Sequence, residues 1–114
     1  MITPQAPTAP DLALVRQRRD RTGTSRLYVA DILIGCLDHV RTRGATGRRC
    51  TRWQPTPSAA AWTMHRIGAP GPDRALLAPL PAVHTSRDDA ARALLDHLRA
   101  AGAPAVDAAY GLSS

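Results

Sequence analysis

Leu27-Tyr28-Val29-Ala30-Asp31-Ile32-Leu33-Ile34-Gly35-Cys36-Leu37-Asp38-His39-Val40-Arg41-Thr42-Arg43-Gly44 holds more branched apolar bulk than any other part of this chain. Val29, Ile32, Leu33, Cys36, Leu37 and Val40 recur at steps of three and four, the spacing of one apolar stripe on an α-helix. Gly44 then serves as a C-terminal cap, and Arg41 and Arg43 sit at the negative end of the helix dipole. Leu27, Ala30 and Ile34 fall off this stripe as a second, smaller apolar patch, bordered by Asp31, Asp38 and Arg41. That patch is covered within the chain or forms a homodimer through Leu27 and Ile34 about a two-fold axis.

Asp11–Arg21 follows Pro10 and starts a helix with Asp11 as its N-cap. Thr22-Gly23-Thr24-Ser25 breaks it, giving a helix pair of the αα-hairpin or helix-turn-helix kind. After Gly44 the chain is basic, and Cys50–Gln54 reads as a short strand. Ala60–Ile67 alternates, with Trp62, Met64 and Arg66 on one side, and reads as a strand. Residues 68–73 are Gly- and Pro-rich and turn the chain, and Arg74–Leu80 returns as a second strand. Ser86-Arg87-Asp88-Asp89 caps a last helix whose buried face is Ala90, Ala91, Leu94, Leu95, Leu98 and Ala101. Gly102 ends it and Pro104 blocks continuation.

The expected fold is therefore α+β: two N-terminal helices, a small antiparallel hairpin or three-stranded sheet, and a C-terminal helix packed on it. At 114 residues this is a single domain. It spans 11–102, between flexible tails at 1–10 and 103–114. The hairpin followed by Val83-His84-Thr85-Ser86 and the Leu94-Leu95 helix is similar to sheet-plus-helix modules such as the arm-binding domains of tyrosine recombinases. The similarity consists of a helix cap and an apolar helix face and identifies no family.

All fifteen basic residues are Arg and all nine acidic residues are Asp, with no Lys, Glu, Phe or Asn. A GC-rich coding bias accounts for part of this, but not for the net charge of +6. Residues 1–57 hold ten Arg and four Asp, whereas residues 58–114 hold five of each, so the whole excess lies in the first half. An uneven basic charge points to a polyanionic partner. The candidate contacts are Arg16, Arg18, Arg19, Arg21 and Arg26 in one cluster and Arg41, Arg43, Arg48, Arg49 and Arg52 in the other. Arg offers planar, bidentate contact to phosphate, so the leading expectation is a small non-enzymatic nucleic-acid-binding or accessory protein, with DNA and RNA left open. The alternative is a protein-interaction module or structural subunit of a larger assembly.

Other chemistry has less to stand on. Trp53 and Trp62 read as core filler rather than base-stacking platforms. Cys36 and His39 make a single short-spaced pair, whereas a structural zinc site uses four ligands in paired spacings, so no metal is expected. Asp31 and Asp38, seven apart, share a helix face, but no nucleophile elbow, phosphate loop or metalloprotease motif accompanies them. The chain is expected to be neither an enzyme nor a cofactor binder. No signal-peptide pattern or membrane-spanning run is present, which leads to the expectation of a cytoplasmic protein without membrane contact.

Overall fold

The computed structural model describes residues 10–43, 47, 49–63 and 74–110. Strands β1 (Val15–Arg19), β2 (Ser25–Val29), β3 (Ile32–Arg43) and β4 (Arg49–Pro57) precede three helices, α1 (Ala60–Thr63), α2 (Arg74–Leu77) and α3 (Arg87–Ala100). The strands form one antiparallel meander in the order β1-β2-β3-β4, and α3 packs on one face of it against β3 and β4. The class is α+β, but the two N-terminal helices expected from the sequence are replaced by strands.

The Leu27–Gly44 stretch is the source of the difference. Ala30 and Asp31 both take positive φ, 49° and 65°, and Val29 pairs directly with Ile32. This is a two-residue hairpin turn of the primed kind, whose twist suits the flanking strands. A register shift between Leu27 and Tyr28 pairs Leu27 with Gly35 and Tyr28 with Leu33, so that Ile34 is the extra residue of a bulge. A turn followed by a bulge breaks strict alternation and leaves apolar residues three and four apart, as a helix would. Leu27 and Ile34, placed off the helical stripe, are both fully buried in the core. Of the two alternatives for this patch, cover within the chain is the one seen for both side chains.

The first segment departs for a related reason. Asp11 does cap, its side chain accepting from the Ala13 N–H at 3.0 Å, but only a 3-10 turn over Leu12–Leu14 follows. Val15 is the single buried residue of β1, so there is no apolar helix face to bury, and the backbone pairs with β2 instead. Asp20 closes this hairpin. Its Oδ1 accepts from the Thr22 N–H at 2.9 Å, the Thr22 hydroxyl at 2.6 Å and the Thr24 N–H at 3.2 Å, and Gly23 supplies φ of 87°.

The strand expected at Cys50–Gln54 exists but extends through two buried prolines, Pro55 and Pro57. Proline is tolerated there because β4 is the last strand of the sheet. The far edge of β4 is taken by the chain itself. Trp53 and His84 exchange backbone hydrogen bonds at 2.8 and 2.9 Å, and the Leu80 N–H donates to the Pro55 carbonyl at 2.9 Å. The hairpin expected over Ala60–Ile67 and Arg74–Leu80 is absent where the chain is described: both segments hold one-turn helices. The similarity to recombinase arm-binding modules loses its hairpin with them. The expected turn at 68–73 lies outside the described residues.

Helix α3 follows the sequence reading. Ser86 caps it, accepting from the Asp89 N–H at 3.1 Å, and Gly102 takes φ of 80° just beyond its end. Ala90, Ala91, Leu94, Leu95 and Leu98 are fully buried. The expected C-terminal tail is instead packed as far as Tyr110: Pro104–Tyr110 is a 3-10 turn that buries Ala105, Val106, Ala109 and Tyr110. The Tyr110 hydroxyl donates to Asp96 Oδ1 at 2.5 Å, and the Ala109 carbonyl accepts from the Asp11 N–H at 2.6 Å. The domain therefore runs on past Gly102. No helix among the described residues is long and apolar enough to cross a membrane.

Three substitutions test this packing by chemical denaturation. Gly35→Ala would place a Cβ 2.5 Å from the Thr56 carbonyl oxygen and 2.7 Å from Leu94 Cδ2, and we expect a loss of about 1–3 kcal/mol. Leu94→Ala empties the opposing position and should cost about 2–5 kcal/mol. Asp31→Gly relieves a left-handed residue of the β2–β3 turn and should raise the midpoint, since non-glycine residues at positive φ are disfavoured by about 1–2 kcal/mol. A midpoint lowered by Asp31→Gly would contradict the turn assignment.

Candidate nucleic-acid interface

Helix α3 covers one face of the sheet, and among the described residues no helix packs on the other. Strand alternation assigns side chains to each. Ser25, Leu27, Val29, Leu37, Pro55 and Pro57 point to the helix and are buried. Arg16, Arg18, Arg26, Tyr28, Cys36, Asp38, Arg52, Gln54 and Thr56 lie on the open side, exposed or half-buried.

Three of the expected arginines come together here. Arg18 lies directly opposite Arg26, and Arg16 directly opposite Tyr28. The Arg16 guanidinium stands 5.3 Å from the Tyr28 ring centroid and bonds Asp31 at 3.3 Å, both partners of that ion pair being well exposed. Among the described residues, neither Arg18 nor Arg26 has a carboxylate within ion-pairing distance. Like charges directly opposed on adjacent strands destabilise a sheet, so the Arg18–Arg26 pair is a cost to the fold, eased at Arg26 by the Asp20 carboxylate, whose charged form Arg26 helps to favour.

The second cluster lies elsewhere. The last β2–β3 pair is Ser25 with Leu37. From Asp38 to Arg43, β3 is paired with β4 alone, forming a two-stranded ribbon with Arg49–Gln54. This ribbon carries Arg41, Arg43, Arg49 and Arg52, with Arg43 directly opposite Arg49. Arg48 lies outside the described residues. Arg52 shares the open face with Arg26 but is separated from it by Asp38. Arg41 and Arg19 are exposed on the helix-side alternation, and Arg21 is exposed in the β1–β2 turn. The nine described arginines of the two clusters therefore form a compact group of three, a ribbon of four and two separate members rather than one patch.

Asp38 is the polar centre between the groups, a role the sequence does not reveal. It accepts from the Thr24 hydroxyl at 3.1 Å, from the Thr56 hydroxyl at 3.3 Å and from the Cys36 thiol at 3.8 Å. These partners come from the β1–β2 turn, β3 and β4, and only the strand register brings them together. Asp31, expected to share a helix face with Asp38, sits instead in the β2–β3 turn. Cys36 and His39, three apart on a strand, point to opposite faces, and no group of three His, Cys or Asp side chains among the described residues is placed to hold a metal ion. Trp53 is half-buried against the core, with the His39 ring at 3.8 Å and the Arg87 guanidinium at 5.7 Å. Trp62 is also half-buried against the core and donates through Nε1 to the Ala101 carbonyl at 3.3 Å.

Comparison of the chain with protein-family models, with curated proteins and with solved structures found no match.

Burial pushes the Cys36 thiol above its ordinary pKa, and the neighbouring Asp38 carboxylate adds to the shift. A raised pKa means less thiolate at a given pH, so in a Cys50→Ser background Cys36 should react with iodoacetamide more slowly than a free thiol at pH 8. Asp38→Asn removes the second cause and should speed the reaction without reaching the free rate. An unchanged rate in that variant would separate Cys36 from Asp38.

Proposed function

We propose that this chain is a small non-enzymatic nucleic-acid-binding protein that meets phosphates with the arginines of its open sheet face and of its β3–β4 ribbon. The observation that carries the reading is the directly opposed Arg18–Arg26 pair on the face that α3 leaves open. A coding bias toward Arg would scatter arginines over the surface. It would not favour two of them directly opposed and, among the described residues, outside any ion pair, where they oppose folding. A phosphate between the two guanidinium groups relieves the repulsion and gains bidentate hydrogen bonds. The ribbon supports the same reading, since a two-stranded β-ribbon is one of the shapes that the major groove of duplex DNA admits.

The proposal separates two quantities that a merely solvated basic face would not link. Arg18→Thr should raise the denaturation midpoint, because it removes a like-charge pair, and should weaken binding to nucleic acid. Log affinity should fall linearly with log salt. In the variant the slope should drop by about 0.7 for single strands, or about 0.9 for duplex, for each phosphate that Arg18 neutralises in the wild type. Fluorescence anisotropy with a labelled oligonucleotide over a salt series measures affinity and slope together. Wild-type binding that is indifferent to salt, or absent at low salt, would overturn the proposal. The alternative, a protein-interaction module, predicts the stability gain without the change in slope.

A further inference from the structure

A cleft of about 380 Å³ opens on the uncovered face of the sheet, beside the Arg18–Arg26 pair. Asp20, Thr24, Arg26, Leu33, Cys36 and Thr56 contribute to its walls. Its size is at the small end of ligand pockets, which run to about 300–1,000 Å³, and suits one heteroaromatic ring system. We propose that it receives a single unpaired base of a bound strand and favours bases that carry an exocyclic amine.

Most polar side chains of the cleft have no proton left to give. The Thr24 and Thr56 hydroxyls and the Cys36 thiol each have one hydrogen to give, and all three give it to Asp38. Toward a ligand they retain lone pairs only. Asp20 is similar: its Oδ1 holds the three donors of the β1–β2 turn, while among the described residues its Oδ2 receives none. The hydrogen bond from the Thr22 hydroxyl is the main cause holding this carboxyl below the usual range, so it is an ionised acceptor at neutral pH. The polar lining of the cleft is thus mostly acceptor, apart from the Arg26 cation and the Ser58 hydroxyl, which accepts from the Ala60 N–H and keeps its own hydrogen. Leu33 supplies an apolar surface for a ring.

An acceptor wall beside a cation selects a ligand that presents donors and carries an anion next to them. A nucleotide with an amino-bearing base meets both conditions: the amine toward Asp20 and the threonines, the phosphate toward Arg26. Cytosine, adenine and guanine have such an amine, whereas thymine and uracil present a single N–H between two carbonyl acceptors, which an acceptor wall disfavours. The base edge is accessible only when unpaired, so the site implies a single strand.

This inference rests on the nucleic-acid reading, and its test keeps the two apart. Labelled oligo(dC) and oligo(dT) of equal length carry equal charge, so phosphate contact alone binds them equally. We expect oligo(dC) to bind about tenfold more tightly, as one hydrogen bond to a charged acceptor allows. Asp20→Asn keeps an Oδ1 acceptor for the turn and turns the second oxygen into a donor, so the ratio should narrow or reverse while circular dichroism stays unchanged. Cytidine and thymidine 5′-monophosphates, followed by amide shifts at Arg26 and Cys36, provide the second arm. Salt-dependent binding with equal affinities for the two oligonucleotides would overturn the cleft and leave the phosphate reading standing. Cytidine monophosphate shifts without any oligonucleotide binding would support the cleft and remove the polymer. No response to either probe would overturn both. A ratio untouched by Asp20→Asn, or an Asp20→Asn that unfolds the chain while Thr56→Val leaves the ratio intact, would overturn the acceptor wall.

Discussion

Leu94 meets the sheet at Gly35, where even a methyl group would stand 2.7 Å from its Cδ2. The chain has no Phe, and the residues closing the core around that contact are small: Ala61, Ala90, Ala91, Ala103, Ala105 and Ala109 are all buried. A core short of aromatic volume reaches native packing density by bringing its layers close rather than by filling the gap between them. Gly35 permits the approach, the two alanines of α3 keep the helix surface low, and Leu27, Ile34, Leu37, Leu95 and Leu98 fill what remains. Tyr110, the bulkiest fully buried side chain, closes the end of this layer through its hydrogen bond to Asp96. The same close approach commits α3 to one face of the sheet and so determines which arginines are left on the other.

How much of this is legible in the sequence depends on how local each signal is. The C-terminal helix is readable because its cap, its apolar face and its terminal glycine all lie within the helix or beside it. The central stretch misleads because two irregularities, a turn at Ala30-Asp31 and a bulge at Ile34, combine to counterfeit helical spacing. Asn-Gly would have announced that turn, but Ala-Asp does not. Two local features do argue for strand: the β-branched residues Val29, Ile32, Ile34 and Val40, and a glycine in mid-segment, which helices disfavour. The packed Pro104–Tyr110 turn is hidden by its composition, since small residues look like a tail until a hydrophobic layer requires thin cover.

The candidate site divides along the same line. Charge is a property of composition, so the basic half of the chain is visible without a fold. Which arginines meet is a matter of register, and the Arg18–Arg26 juxtaposition exists only once β1 is a strand. The Asp38 network is beyond reach for the same reason, because its threonine donors are separated from it by 14 and 18 residues along the chain. The proposed phosphate contacts therefore rest on a combination: residue types given by composition and a neighbourhood given by the pairing of strands.

The two edges of the sheet differ in a way that bears on solubility. At β4 the chain has added its own short pairing at Trp53 and His84, so no template for a foreign strand is left over those residues. At β1 no further strand is added among the described residues, but the sequence there is Val15-Arg16-Gln17-Arg18-Arg19. A second copy aligning on that edge would bring arginine against arginine across the new ladder, and charged edge strands are a common means by which proteins block such growth. One border is closed by covalent continuity and the other by repulsion. The second kind of closure depends on ionic strength, so crowding at high salt presses on β1 first.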